Sequence, residues 1–214
     1  MKQPPFDATQ QLSRDSIEAQ EAGRSEGHGL LQLELLLYAL RSPINLGMIL
    51  RVAETYRVRV AIYDRHHVLD DPDKLATMED FSCGAAARWG FRRIDDAVTL
   101  KSLRQGRRLI ATSIEADSRA LPNHRFRRAD LIVLGNEYDG LPDDVVAGAD
   151  IRLRLPMPAV WAPKPPSRNP IDPRRTAPVA RDGKPNLNVA VTAGIICYSA
   201  HASLLANRTD DPVG

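Results

Sequence analysis

Short apolar segments alternate along most of this chain with segments of helical periodicity, and this alternation limits the possible folds more than any other feature. The helical segments place apolar residues three and four apart, as Leu46, Ile49 and Ala53 do. Strands that alternate with helices form parallel sheets covered on both faces. We therefore predict an α/β fold, a mostly parallel sheet flanked by helices, with strands at Leu31–Leu40, Val58–Ile62, Phe91–Ile94, Arg108–Ser113, Ala129–Leu134 and Ile151–Leu155.

Composition narrows the class of protein. A chain of 214 residues is long enough for one α/β domain with its own core, and a formal net charge of +2 does not by itself identify a nucleic-acid binder. Cys83 and Cys197 lie far apart without metal-ligand spacing, so we expect neither a disulfide framework nor a metal site. The sequence shows no signal-peptide pattern and no segment long enough to cross a bilayer. These features predict a soluble, cytoplasmic protein that does not contact a membrane.

The domain organisation follows from local composition. Residues 1–28 are polar and lack apolar periodicity, which predicts a flexible N-terminal arm. The domain itself is predicted at residues 29–208, with a short tail at 209–214. Within the domain, residues 157–185 are rich in proline and arginine and cannot build a packed core, which predicts an insertion.

The last predicted helix, from about Leu187 to Ala206, is apolar on nearly every side as far as Tyr198. A helix of that kind is buried by more than one neighbouring surface. Two explanations remain open: a partner subunit covers the helix, or the helix is threaded through the fold.

Three polar motifs, far apart in the sequence, fall at the predicted ends of strands and helices, where α/β folds bind ligands. The pattern N-x-G-x-x-x-R occupies Asn45–Arg51, and G-x-E-x-x-G-L occupies Gly135–Leu141. The third motif is L-N-V at Leu187–Val189, preceded by Pro156-Met157 after the last strand. Asn45 and Asn188 are also predicted to cap the helices that they precede.

In this order, the motifs resemble those of the SpoU (TrmH-type) RNA 2′-O-methyltransferases of the SPOUT superfamily, over roughly residues 30–205. The resemblance implies a C-terminal deep trefoil knot (the SPOUT fold) and a homodimer. It also implies methyl transfer from S-adenosylmethionine to a ribose 2′-hydroxyl of tRNA or rRNA. The first strand–helix turn carries neither a G-x-G-x-x-G nor a Walker sequence, which argues against an ordinary open-sheet nucleotide-binding protein.

By the same resemblance, Arg51 is the catalytic arginine, and Asn45, Glu137 and Asn188 belong to the catalytic site. A guanidinium stays protonated in proteins, so we expect Arg51 to stabilise the developing 2′-oxyanion and not to act as a general base. Simpler roles also remain open. Arg51 could pair with a carboxylate on a solvated helix face, and Glu137 could cap the helix predicted near Pro142.

The resemblance further implies that S-adenosylmethionine is bound by backbone and apolar groups that follow the last strands and precede the last helix. Taken alone, these residues look like ordinary core and turn residues. They are Thr112, Leu134, Gly135, Leu155, Met157, Leu187 and Asn188.

One departure from the family pattern motivates an alternative function. Asn186 and Ala190 occupy the two positions where the third motif commonly has serine. The alternative is therefore a catalytically silent RNA-binding module on the same SPOUT scaffold.

Basic residues outside the motifs are the predicted RNA contacts. Arg125, Arg127 and Arg128 cluster in one loop, and Arg174 and Arg175 lie in the insertion. Arginine side chains bind phosphates, although charged loops are often simply solvated.

Overall fold

The computed structural model describes residues 33–96, 101–104, 106–158 and 187–209, with side chains as far as residue 204. The predicted arm at 1–28 and almost all of the insertion at 157–185 lie outside the described residues, as do positions 210–214 of the tail. The domain limits predicted above therefore stay predictions. Among the described helices, none combines the length and the hydropathy that a membrane crossing requires.

The described strands form one seven-stranded sheet in the order β3-β2-β1-β6-β4-β7-β5, and every pairing between them is parallel. This confirms the predicted α/β fold with a parallel sheet. The strands are β1 (Glu34–Tyr38), β2 (Arg59–Tyr63), β3 (Arg92–Ile94), β4 (Leu109–Thr112), β5 (Arg119–Ala120), β6 (Leu131–Leu134) and β7 (Ile151–Arg154). All residues of β1 and β6 are buried, as expected for strands with neighbours on both sides.

Helices cover the sheet, and local sequence sets their limits. They are α1 (Pro43–Tyr56), α2 (Pro72–Ser82), α3 (Ala85–Arg88), α4 (Asp143–Ala147) and α5 (Val189–Thr209). The sequence Cys83-Gly84 separates α2 from α3. Cys83 and Gly84 adopt left-handed φ angles of 52° and 82°, which end one helix and start the next.

One local prediction is wrong, and one strand was missed. Asn45 does not cap α1: Ser42 is the N-cap, and its hydroxyl accepts a hydrogen bond from the Asn45 backbone N–H. Pro43 occupies the first helical turn, which moves the helix start two residues ahead of Asn45. The two-residue strand β5 was not predicted, because so short a segment carries no periodicity.

Gly47 allows α1 and α2 to pack closely. A Cβ atom at Gly47 would lie 2.4 Å from the backbone oxygen of Met78 and 2.9 Å from the backbone nitrogen of Ser82. Because backbone atoms cannot rotate away, a side chain here forces the helices apart. Close packing of the two helices is therefore sufficient to explain why the first motif has glycine at position 47.

We expect Gly47→Ala to lower the free energy of unfolding by about 1–3 kcal/mol, the usual cost of overpacking. Gly194→Ala is the matched control within helix α5, because the nearest atom to its added Cβ is Val52 Cγ2 at 4.0 Å. The control should be neutral or slightly stabilising, since alanine favours helix interiors. Urea unfolding of both variants measures these free energies. Equal unfolding midpoints for Gly47→Ala and Gly194→Ala would contradict the packing role of Gly47.

Candidate active site

The three sequence motifs meet through a chain of side-chain hydrogen bonds. Asn45 Nδ2 donates to Glu137 Oε1 at 2.6 Å across 92 positions of sequence, and Asn188 Nδ2 donates to Asn45 Oδ1 at 3.1 Å across 143 positions. Asn45 lies in the first turn of α1, Glu137 in the loop after β6, and Asn188 just before α5. The structure therefore brings three of the four predicted catalytic residues into direct contact.

Asn188 has two roles at once. Its Oδ1 accepts hydrogen bonds from the backbone N–H groups of Ala190 at 2.8 Å and Val191 at 3.3 Å, which confirms the predicted helix cap. Its amide nitrogen remains free to bind Asn45. Ala190, at one of the departing positions, is 3% exposed, so a serine there would have to bury its hydroxyl. Asn186 lies outside the described residues.

The loop that carries Glu137 is held in one conformation by its own backbone. Asn136 and Gly140 exchange two backbone hydrogen bonds, and Asn136 Oδ1 accepts from the N–H groups of Tyr138 and Asp139, both at 2.8 Å. The second carboxylate oxygen of Glu137 accepts from the Arg41 backbone N–H at 3.4 Å. Helix α4 has Pro142 at its N-cap and no side-chain cap, so Glu137 does not cap it. The carboxylate instead joins the loops after β1 and β6.

Arg51 lies apart from this hydrogen-bond chain. Its side chain is exposed on α1, and its Nη1 donates to Cys83 Sγ at 3.2 Å. Among the described residues Arg51 forms no ion pair, so the simpler role of pairing with a carboxylate is not seen. Six residues separate Arg51 from Asn45, about 9 Å along the helix axis. The guanidinium is consequently free to meet an external anion.

The predicted cofactor residues lie at the carboxyl-terminal edge of the sheet. Thr112 ends β4, Leu134 ends β6 and Gly135 follows it, and Leu155 and Met157 follow β7. These strands are adjacent in the order β6-β4-β7. The Thr112 hydroxyl donates to the Val133 carbonyl at 3.0 Å, and Leu134 is 1% exposed. Both side chains therefore make contacts within the protein, and both residues pair with neighbouring strands.

Gly135 is placed where a side chain has no room. A Cβ atom there would lie 2.4 Å from the Gly140 carbonyl carbon and 2.6 Å from the Leu141 nitrogen. Leu187, the first described residue before α5, is 39% exposed, so it offers an unoccupied apolar surface close to Asn188. A close-packed loop beside an exposed apolar side chain fits the adenosyl and methionine parts of S-adenosylmethionine.

The predicted RNA-binding arginines do not lie near these residues. Arg125, Arg127 and Arg128 are exposed in the loop before β6, at the amino-terminal edge of the sheet. The four residues of β6 separate that edge from Glu137 by about 13 Å. Arg174 and Arg175 lie outside the described residues. Any RNA contact by the first three would therefore be remote from the reacting ribose.

Sequence reasoning missed a second polar cluster at the carboxyl-terminal edge. Arg41 follows β1, Arg65 and His66 follow β2, and Asp139 follows β6, so these side chains meet beside Glu137. Their positions directly after three predicted strands were the available signal, because parallel strands bring such residues to one edge.

Comparison with known proteins agrees with this geometry. Residues 32–161 match the model of the SpoU rRNA methylase family. A tRNA (cytidine(34)-2′-O)-methyltransferase from Beijerinckia indica is 28% identical over 191 residues, which are 83% of this chain and 97% of the relative.

Solved structures have the same fold. A structure described as giving insight into the 2′-OH methylation of C/U34 on tRNA superposes with a TM-score of 0.60 at 27% identity, covering 81% of this chain and 97% of that one. AviRb from Streptomyces viridochromogenes, a SpoU methyltransferase in complex with S-adenosylmethionine, gives a TM-score of 0.60 at 18% identity, over 81% of this chain and 61% of AviRb.

The fold and the family match define an RNA methyltransferase, and the chain belongs to the SpoU family. Within that family it is an RNA ribose 2′-O-methyltransferase that depends on S-adenosylmethionine, as the sequence motifs predicted.

Proposed function

We propose that this enzyme methylates the ribose 2′-hydroxyl of tRNA, at a pyrimidine in position 34. The observation that carries the proposal is the full-length similarity to enzymes of that specificity: 97% of the Beijerinckia relative and 97% of the C/U34 structure are covered. By contrast, only 61% of AviRb is covered.

In the proposed mechanism the residues of this chain orient the ribose and stabilise charge. Bound S-adenosylmethionine supplies an electrophilic methyl group on a sulfonium. The 2′-oxygen gains negative charge as its proton leaves, and Arg51 stabilises that charge by donating hydrogen bonds without losing its own proton. Attack on the methyl carbon would then form the O–CH3 bond and release the cofactor as an uncharged thioether. The 2′-hydroxyl proton leaves to water or to a neighbouring phosphate. The Asn45–Glu137–Asn188 chain keeps the loop after β6 and the start of α5 in fixed positions relative to α1.

We further propose a knotted homodimer in which Arg51 of one protomer completes the site of its partner. Support comes from α5, whose exposed face carries apolar side chains at helical spacing. Val191 is 44% exposed, Ile195 38% and Tyr198 61%, continuing the line begun by Leu187. The separation of Arg51 from the hydrogen-bond chain of its own protomer is a second support.

The dimer makes a specific prediction. Val191→Asp places a charge in the exposed apolar face of α5, and we expect it to convert a dimer of the 23.7 kDa chain into a monomer without methyl-transfer activity. Ile114→Asp is the matched control for the mass alone, because Ile114 is another apolar side chain, 47% exposed, that lies in the loop after β4 and not on α5. Light scattering at micromolar concentration measures the masses, and a monomeric wild type would contradict the proposal.

Mapping 2′-O-methyl groups in total RNA from cells with and without the gene tests the substrate. We expect the loss of a methyl group from position 34 of one or a few tRNAs, with rRNA unchanged. A lost rRNA methyl group with intact tRNA would contradict the proposed substrate.

A further inference from the structure

A pocket of 320 Å³ lies next to the hydrogen-bond chain, between the loops that follow β1, β2 and β6. Its volume is at the lower end of the range of small-molecule sites, about 300–1,000 Å³. Polar and aromatic side chains line most of it: Tyr38, Arg41, Arg65, His66, Asn136 and Asp139.

The pocket shares a wall with the candidate active site. The loop at residues 136–140 points Glu137 toward Asn45 and places Asp139 in the pocket. Arg41 likewise contacts both the active site and the pocket, because its backbone N–H donates to Glu137 and its side chain lines the pocket. A ligand in the pocket would therefore lie directly beside whatever occupies the active site.

Arg41 is fixed in place by several contacts. Its Nε donates to His66 Nε2 at 3.2 Å, its Nη2 lies 3.4 Å from Asp139 Oδ2, and its guanidinium carbon lies 5.5 Å from the centre of the Tyr138 ring. Side chains held in this way lose little entropy when they bind a ligand.

The pocket favours an anion. Burial, followed by the positive charges of Arg41 and Arg65, lowers the pKa of His66 below its usual value. The lowered pKa favours the neutral imidazole, whose Nε2 can accept the hydrogen bond from Arg41. Arg65 is exposed and, in the described part of the chain, has no carboxylate within ion-pair distance. Arg41 and Arg65 thus line the pocket together with one carboxylate, Asp139, which lies 3.4 Å from Arg41 and leaves the Arg65 guanidinium available to an external anion.

We propose that this pocket binds the phosphate of the nucleotide adjacent to the methylated ribose, with Arg65 as its principal contact and Arg41 as a second. This inference rests on the proposed function, because it takes RNA as the substrate. Guanidinium groups bind phosphate oxygens in pairs, and a phosphate is the group that lies one backbone step from every ribose. The contact would fix the position of the RNA backbone without reading the base.

The test measures RNA binding and methylation separately, using bulk tRNA from cells that lack the gene as the probe. We expect Arg65→Gln to weaken tRNA binding by about tenfold, and to reduce the slope of log affinity against log salt by about 0.7–0.9, as expected for one lost phosphate contact. It should raise KM for tRNA with little change in kcat. Affinity for S-adenosylmethionine should be unchanged. Arg65→Lys should recover most of the binding, because it keeps the charge.

Arg57→Gln is the matched control. Arg57 is an exposed arginine at the opposite end of α1, without an ion pair in the described part of the chain. Unchanged tRNA affinity and salt slope in Arg65→Gln would overturn the proposed pocket, even if the wild type methylates tRNA normally. A wild type that binds tRNA but transfers no methyl group would instead count against the proposed function alone.

Discussion

Replacing Arg51 by alanine should reduce kcat for RNA methylation by at least about 100-fold, while the affinity for S-adenosylmethionine stays within twofold of the wild type. Groups that stabilise a developing oxyanion typically contribute factors of about 10²–10³. Arg51 is exposed and its guanidinium contacts only the Cys83 thiol among the described residues, so its loss should cost little folding stability. Single-turnover transfer of radiolabelled methyl groups to tRNA measures the rate.

Two further variants sharpen this test. Arg57→Ala removes another exposed arginine, the C-cap residue of the same helix, and should leave the rate unchanged. Arg51→Lys keeps the charge but loses the planar pair of donors, and an intermediate rate is expected. A wild-type rate in Arg51→Ala would remove Arg51 from the mechanism and would leave the Asn45–Glu137–Asn188 chain without its cation.

Replacing Gly135 by alanine should weaken S-adenosylmethionine binding by about 100-fold or more. The added Cβ would lie 2.4 Å from Gly140 and 2.6 Å from Leu141, and backbone atoms at such distances must move. The two hydrogen bonds between Asn136 and Gly140 prevent a small local adjustment, so the whole loop should shift. Glu137 would then move away from Asn45. Isothermal titration calorimetry with S-adenosylmethionine measures the effect.

Gly140→Asn is the matched control in the same loop. Gly140 has a φ angle of 71°, which asparagine tolerates, and no atom lies within 4 Å of an added Cβ. We expect near-normal cofactor affinity in this variant. If both variants bind the cofactor as the wild type does, the loop after β6 is not part of the cofactor site.

The sheet and much of the site could be predicted from sequence because their signals are local. Buried parallel strands are continuous apolar segments, and Cys83-Gly84 marks a helix break through its own backbone preferences. Asn45, Glu137 and Asn188 were expected in one site because the three motifs that contain them resemble those of one enzyme family. The hydrogen bonds themselves, which span 92 and 143 positions, depend on the folded sheet.

What sequence reasoning missed depends on which strands become neighbours. Arg41 and Asp139 meet only because β1 pairs with β6, and Arg65 joins them only because β2 pairs with β1. The basic loop around Arg127 was proposed to bind RNA from composition alone. Composition carries no information about the edge of the sheet at which a loop lies, and this loop lies opposite the candidate site.

The most direct test of the account is mass spectrometry of nucleosides from tRNA incubated with the purified enzyme and S-adenosylmethionine. A 2′-O-methylated pyrimidine nucleoside should accumulate with the wild type, and it should be absent with Arg51→Ala. Methylation of a base would contradict the proposed reaction. So would the absence of methylation when the enzyme is folded and binds S-adenosylmethionine.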